Sequence, residues 1–131
     1  MRLLLDTHII LWSAAEPHNL TKNIKKALEN ESNELWFSPI SVWEIVLLAE
    51  KRRISLGSDI VKAVRDIFHK IPFKEAPLNK EVTIQSRIVK LPHQDPADRF
   101  LAATAVVYDL TLVTADARII NAEAVPVLAA I

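Results

Sequence analysis

Apolar residues fall into short runs that break off at single polar residues. Leu3–Leu5 stops at Asp6, and Leu35–Phe37 stops at Ser38. Runs this short, closed by a polar residue, predict buried strands. The intervening segments carry a helical pattern. Thr7–Ala15 predicts a helix with few polar positions, and Thr21–Asn30 an amphipathic, lysine-rich one. Ser38-Pro39 reads as an N-cap followed by proline at the first helical position, opening a helix that runs to about Lys51. Further helices are expected over Ser58–Lys70, Asn79–Val89 and from Asp95-Pro96 to Tyr108. Strands are expected near Ile71–Phe73, over Thr111–Val113 and over Val125–Leu128, with a short helical turn across Asp116–Asn121. Strands alternating with helices imply an α/β fold: a mostly parallel sheet, covered on both faces and joined by right-handed connections.

Length changes this picture little. The 131 residues suffice for one domain with a sizeable core, and no linker or repeat divides them, so a single domain over 1–131 is expected. Composition excludes more. The chain has one glycine, Gly57, so it lacks the glycine-rich phosphate loops of dinucleotide-binding and P-loop folds. It has no cysteine, which removes disulfides, thiolate-bound zinc and thiol catalysis. No stretch approaches a membrane span, and Asp6 interrupts the first apolar run too early for a signal-peptide core. A soluble, cytoplasmic protein is expected. Sixteen basic and sixteen acidic residues balance, so any contact with nucleic acid relies on local patches or bound metal.

The acids are placed more tellingly than they are counted. Asp6 follows the first strand directly, and Asp116 comes shortly after Thr111–Val113. Open α/β sheets bind ligands beyond the carboxyl ends of their strands, where the strand order reverses. Glu44 is the only charged residue between Phe37 and Ala49. A helix so apolar is expected to be buried, and a carboxylate within it needs a partner or a metal. The competing reading is a capping box, Ser41-x-x-Glu44, although Ser38-Pro39 already starts the helix one turn earlier. Asp95 suits the N-cap of the next helix, and Asp98 its dipole-favoured first turn; both are open to a purely structural reading. Gathered together, such acids suit magnesium or manganese, which take oxygen ligands at about 2.0–2.1 Å and activate water on phosphodiesters.

Four segments carry a family resemblance. Leu3-Leu4-Leu5-Asp6-Thr7-His8, Ser38-Pro39-Ile40-Ser41-Val42-Trp43-Glu44-Ile45, Asp95-Pro96-Ala97-Asp98-Arg99-Phe100-Leu101-Ala102-Ala103-Thr104-Ala105 and Leu112-Val113-Thr114-Ala115-Asp116 resemble the motifs of PIN-domain proteins. In order and spacing the chain is most similar to VapC-type toxins of bacterial toxin–antitoxin pairs. The resemblance implies an α/β/α sandwich and an acidic pocket for Mg²⁺ or Mn²⁺. It also implies endoribonuclease activity and inhibition by a small cognate antitoxin. Asp6, Glu44 and Asp98 match the family's three principal acids, and Asp116 its fourth. Asp6 and Asp98 would bind metal directly, Glu44 and Asp116 partly through water. Thr114 matches a hydroxyl position that orients an acid or a water. With this resemblance, Asp98 is read as a site residue and Asp95 as the cap.

Other residues draw weaker readings. His8 and His93 lie beside the motifs and are read as peripheral, since a metal can do their acid–base work. Trp12 and Trp43 have faces that stack bases, but their helical spacing favours core packing. Arg99 fits either a phosphate contact or a neighbouring acid. Lys51-Arg52-Arg53 is a solvated helix end and the best basic patch for an RNA backbone. The apolar tail Val125–Ile131 suggests a homodimer surface. Crowded carboxylates predict at least one raised pKa through like-charge repulsion. Two other functions compete. One is a binding module that only uses the acidic pocket as a grip. The other is a phosphatase with Asp6 as nucleophile, which His8 disfavours because a second aspartate is needed there.

Overall fold

The computed structural model describes residues 1–131. Five strands form one wholly parallel sheet: β1 (Arg2–Leu5), β2 (Glu34–Phe37), β3 (Phe73–Glu75), β4 (Thr111–Thr114) and β5 (Val127–Ala129), in the order β3-β2-β1-β4-β5. The helices are α1 (Thr7–Ala15), α2 (Lys22–Glu29), α3 (Pro39–Glu50), α4 (Ile60–Lys70), α5 (Lys80–Ile88), α6 (Pro96–Tyr108) and α7 (Ala117–Ala122), with a short 3₁₀ turn over Pro17–Asn19. The α/β class and the parallel sheet agree with the sequence reading. The predicted third strand lies two residues further on, as β3, and the last begins two residues late, as β5.

Strand order explains the layers. From β1 the chain steps outward to β2 and β3, then returns past β1 to β4 and continues to β5. With right-handed connections, that reversal puts the later helices on the opposite face. The core divides accordingly. Leu3 and Leu5 of β1 pack with residues of α1, α2, α3 and α4, whereas Leu4 packs with Leu101, Ala102 and Ala105 of α6 and Ile119 of α7. Alternate side chains of one buried strand thus serve two cores.

The helix starts follow local signals. Ser38 caps α3, its hydroxyl accepting from Ile40 N at 3.1 Å, with Pro39 next. Ser41 therefore lies inside the helix, and the capping-box reading of Ser41 and Glu44 falls. Asp59, Asn79 and Asp95 cap α4, α5 and α6 in the same manner.

Two expectations are corrected by packing. α3 is buried only along Ile40, Ser41, Ile45 and Ala49, the side facing α1, α4 and α6, so it is not buried all round. Trp43 on its outer side is 53% exposed, which overturns the core reading for that residue. The tail read as a dimer surface forms the edge strand of the sheet. β5 pairs with β4, Val125 and Ala130 are buried, and Ile131 alone of its large apolar side chains stays exposed.

Candidate active site

β1 and β4 are neighbours whose outgoing connections run in opposite directions, so a crevice opens beyond their carboxyl ends. Asp6 stands at the end of β1, its backbone N–H donating to Val113 O at 3.0 Å. Thr114 closes β4, and its Oγ1 donates to Asp6 Oδ2 at 2.6 Å while accepting from Asp116 N at 3.1 Å. One fully buried hydroxyl thus fixes two acids. Asp98 enters from the first turn of α6, and Glu44 from α3. A pocket of about 260 Å³ is lined by Asp6, Glu44, Asp98 and Asp116 together with Asp95, His8, Trp12 and Arg118. All four predicted acids therefore meet in one place.

Burial controls their charge more than repulsion does. Asp6 is 8% exposed, and burial raises its pKa against the hydrogen bond from Thr114. Glu44 is half-buried and raised by burial first, with the Thr7 hydroxyl offsetting part of the effect and Asp6 and Asp95 adding to it. Asp98 is pushed up to about 7 by burial, then by Asp95, Asp6 and Asp116. Like-charge repulsion, the predicted cause, is thus second to desolvation. Asp116 goes the other way, because Arg118 beside it holds its carboxyl below the usual range.

Arg118 escaped the sequence reading. Its Nη2 lies 2.9 Å from Asp116 Oδ2 and 3.4 Å from Asp98 Oδ2, and its Nε 3.3 Å from Asp116 Oδ1. The available signal was its place in the first turn after Asp116. His93 is also closer to the chemistry than its peripheral reading allowed. Its Nδ1 accepts from Asp95 N at 3.3 Å, and its Nε2 is buried without a hydrogen-bond partner, 3.5 Å from Asp98 Oδ2. His8 is exposed at the pocket rim. Trp12 is half-buried against the core and also lines the pocket.

Arg99 takes neither role expected of it. It is 5% exposed and donates to Ser86 O, Val89 O and His93 O at 2.8–3.1 Å, satisfying carbonyls at the end of α5 and in the loop before α6. Asp95 is the cap, donating no proton but accepting from Ala97 N, and it also adds charge to the pocket. Lys51, Arg52 and Arg53 lie exposed in the turn after α3, outside the acidic pocket.

No three acids or histidines are spaced to close around an ion by themselves. Magnesium and manganese ask for less, since one or two carboxylates and several waters complete their shell. The donor set is all oxygen, and Asp6 and Asp98 are buried carboxylates whose charge the protein leaves incompletely balanced. A hard divalent cation fits that chemistry.

Comparisons with known proteins agree with this architecture. The PIN domain family model matches residues 3–125. Ribonuclease VapC22 of Mycobacterium tuberculosis is 32% identical over 120 residues, covering 89% of this chain and 88% of that protein. Among solved structures, DNA-bound VapBC from Salmonella typhimurium superposes with a TM-score of 0.70 at 15% identity, covering 100% of this chain and 99% of that one. VapBC2 from Rickettsia felis, bound to a DNA fragment from its promoter, gives 0.69 at 16% identity with 98% of each chain covered. With the family model spanning nearly the whole sequence and the acids gathered at the sheet's reversal point, the chain belongs to the PIN-domain family.

Proposed function

We propose that this chain is a divalent-metal-dependent endoribonuclease and the toxin of a toxin–antitoxin pair. The observation that carries the reading is the convergence of Asp6, Glu44, Asp98 and Asp116, from four separate segments, on one pocket. Family membership and the 32% identity to a ribonuclease support the activity. Asp6 and Asp98 would hold Mg²⁺ or Mn²⁺ directly, and Glu44 and Asp116 partly through water. When bound, the cation supplies a water of lowered pKa and stabilises charge on the leaving oxygen of the phosphodiester. Thr114 keeps Asp6 in one orientation, and α6 presents Asp98 from its first turn. Burial holds both carboxylates ready for a cation, because ionised and unpaired they are costly.

The partner follows from the same charge. A pocket of acids without metal attracts a guanidinium or ammonium, so the expected antitoxin is a short protein whose carboxyl-terminal segment inserts a basic residue there. Two similar structures are VapBC complexes bound to DNA, which supports a pair of this kind. No helix is long and apolar enough to cross a membrane, and action on cellular RNA suits the cytoplasm.

The test is Asp6→Asn. It keeps the shape of the side chain and its place after β1 but removes the charge that holds the cation. RNA incubated with purified wild type and Mg²⁺ should be cut, and with folded Asp6→Asn left intact. Sequencing the new RNA ends identifies the target. RNA binding by the wild type without metal-dependent cleavage would instead make the pocket a binding module.

A further inference from the structure

The acidic pocket already holds one cation of the chain's own. Arg118 lines it and bridges Asp116, through two contacts at 2.9 and 3.3 Å, to Asp98 at 3.4 Å. No other arginine or lysine lines the pocket. The backbone at Arg118 is anchored, because its N–H donates to Asp116 Oδ1 at 2.9 Å in the first turn of α7. Its side chain, 56% exposed, is held only by the carboxylates it meets. Arg99 shows the contrast, a guanidinium locked by backbone carbonyls and 5% exposed. A guanidinium held at the surface by ion pairs alone can exchange partners at low cost.

We propose that Arg118 exchanges between two partners. It balances Asp98 and Asp116 while the pocket lacks a divalent ion, and after yielding Asp98 to that ion it contacts a non-bridging oxygen of the RNA phosphate. The inference rests on the nuclease reading and deepens it. The geometry supports both halves. A divalent ion on Asp98 and the guanidinium 3.4 Å from Asp98 Oδ2 compete for one carboxylate, so bound metal repels the arginine. Once displaced, the five-donor planar fork still lines the pocket that Asp6 and Asp98 line, within reach of a phosphodiester brought to them. The acids bind the metal and repel the phosphate; beside the metal, Arg118 is the one arginine or lysine side chain in the pocket able to attract it.

The experiment separates metal from substrate. Mn²⁺ binding is measured by calorimetry without RNA for wild type, Arg118→Gln and Arg118→Lys, and each is then assayed for cleavage of a single-stranded RNA oligonucleotide. Arg118→Gln should bind Mn²⁺ about two- to fivefold more tightly, the scale of an exposed ion pair removed. Its KM for RNA should rise about tenfold, the scale of a lost charged hydrogen bond, with a smaller change in kcat. Arg118→Lys keeps a charge but not the fork, so its Mn²⁺ affinity should stay near wild type while its KM still rises. Unchanged or weaker Mn²⁺ binding in Arg118→Gln overturns the competition, and an unchanged KM overturns the phosphate contact. If wild type neither binds Mn²⁺ nor cuts RNA, the nuclease reading fails and takes this inference with it. Thermal melts of all three proteins exclude misfolding as the cause, and an exposed side chain predicts that they fold alike.

Discussion

Thr114 and Asp6, 108 residues apart in sequence, are joined by a 2.6 Å hydrogen bond between the ends of adjacent strands. The hydroxyl donates to the carboxylate and accepts from Asp116 N, so its only proton is committed to Asp6. A single side chain couples the first and last acids of the pocket.

Removing that hydroxyl without changing shape isolates its effect. Thr114→Val should destabilise the fold by about 1–3 kcal/mol, because it leaves a buried carboxylate and a backbone N–H short of a partner. The same bond opposes the burial that raises Asp6. Its loss should push Asp6 higher still and move the acid limb of the cleavage pH profile upward. Thr114→Ser should restore both. Urea unfolding and kcat/KM against pH are the measurements, and a neutral Thr114→Val would show that Asp6 is held by other means.

Asp98 makes stability depend on pH in a definite direction. Its folded pKa is about 7 against an ordinary 3.8, so between about pH 4 and pH 7 the native state keeps a proton that the unfolded chain has lost. This group's contribution to stability therefore grows as pH falls through that window and is a full cost above pH 7. Asp116, with its lowered pKa, acts in the opposite sense, so the comparison is with Asp98→Asn. In EDTA that variant should melt above wild type at pH 8, with the gap narrowing through pH 5 and closing only near pH 4. Excess Mg²⁺ should reverse the order at pH 8, since it stabilises the protein that binds it. A gap independent of pH and metal would mark Asp98 as a helix-end charge and nothing more.

Arg99 should matter for the fold. Arg99→Leu leaves the carbonyls of Ser86, Val89 and His93 without their donor in a buried setting, an expected loss of about 2–4 kcal/mol. Arg99→Lys should recover little, because one ammonium cannot span three carbonyls in a plane. Denaturant midpoints at constant slope measure both.

Trp43 should behave as a surface residue. Trp43→Ser is expected to shift stability by no more than about 0.5 kcal/mol, whereas a core tryptophan would cost about 3–5 kcal/mol. A large loss in the isolated chain would contradict its exposed position.

Much of this protein was legible along the chain because the deciding forces are local. Runs such as Leu3–Leu5 announce strands that bury both faces, and Ser38-Pro39 and Asp95-Pro96 announce helices whose first N–H groups need acceptors. Asp6 was conspicuous because it ends an apolar run, and Glu44 because it interrupts one. Four motifs in order carried the rest of the candidate site through resemblance. Tertiary structure decided what depends on segments meeting. The exposed side of α3 is set by which helices flank it, and sequence periodicity cannot register that when nearly every position is apolar. Arg99 and Arg118 have the same side chain. One is buried because the end of α5 brings carbonyls to it; the other stays at the surface because β1, α6 and β4 gather carboxylates beside it. Likewise the leading cause of the raised pKa values, desolvation ahead of repulsion, is a property of the packed crevice, and no spacing of acids along a chain encodes it.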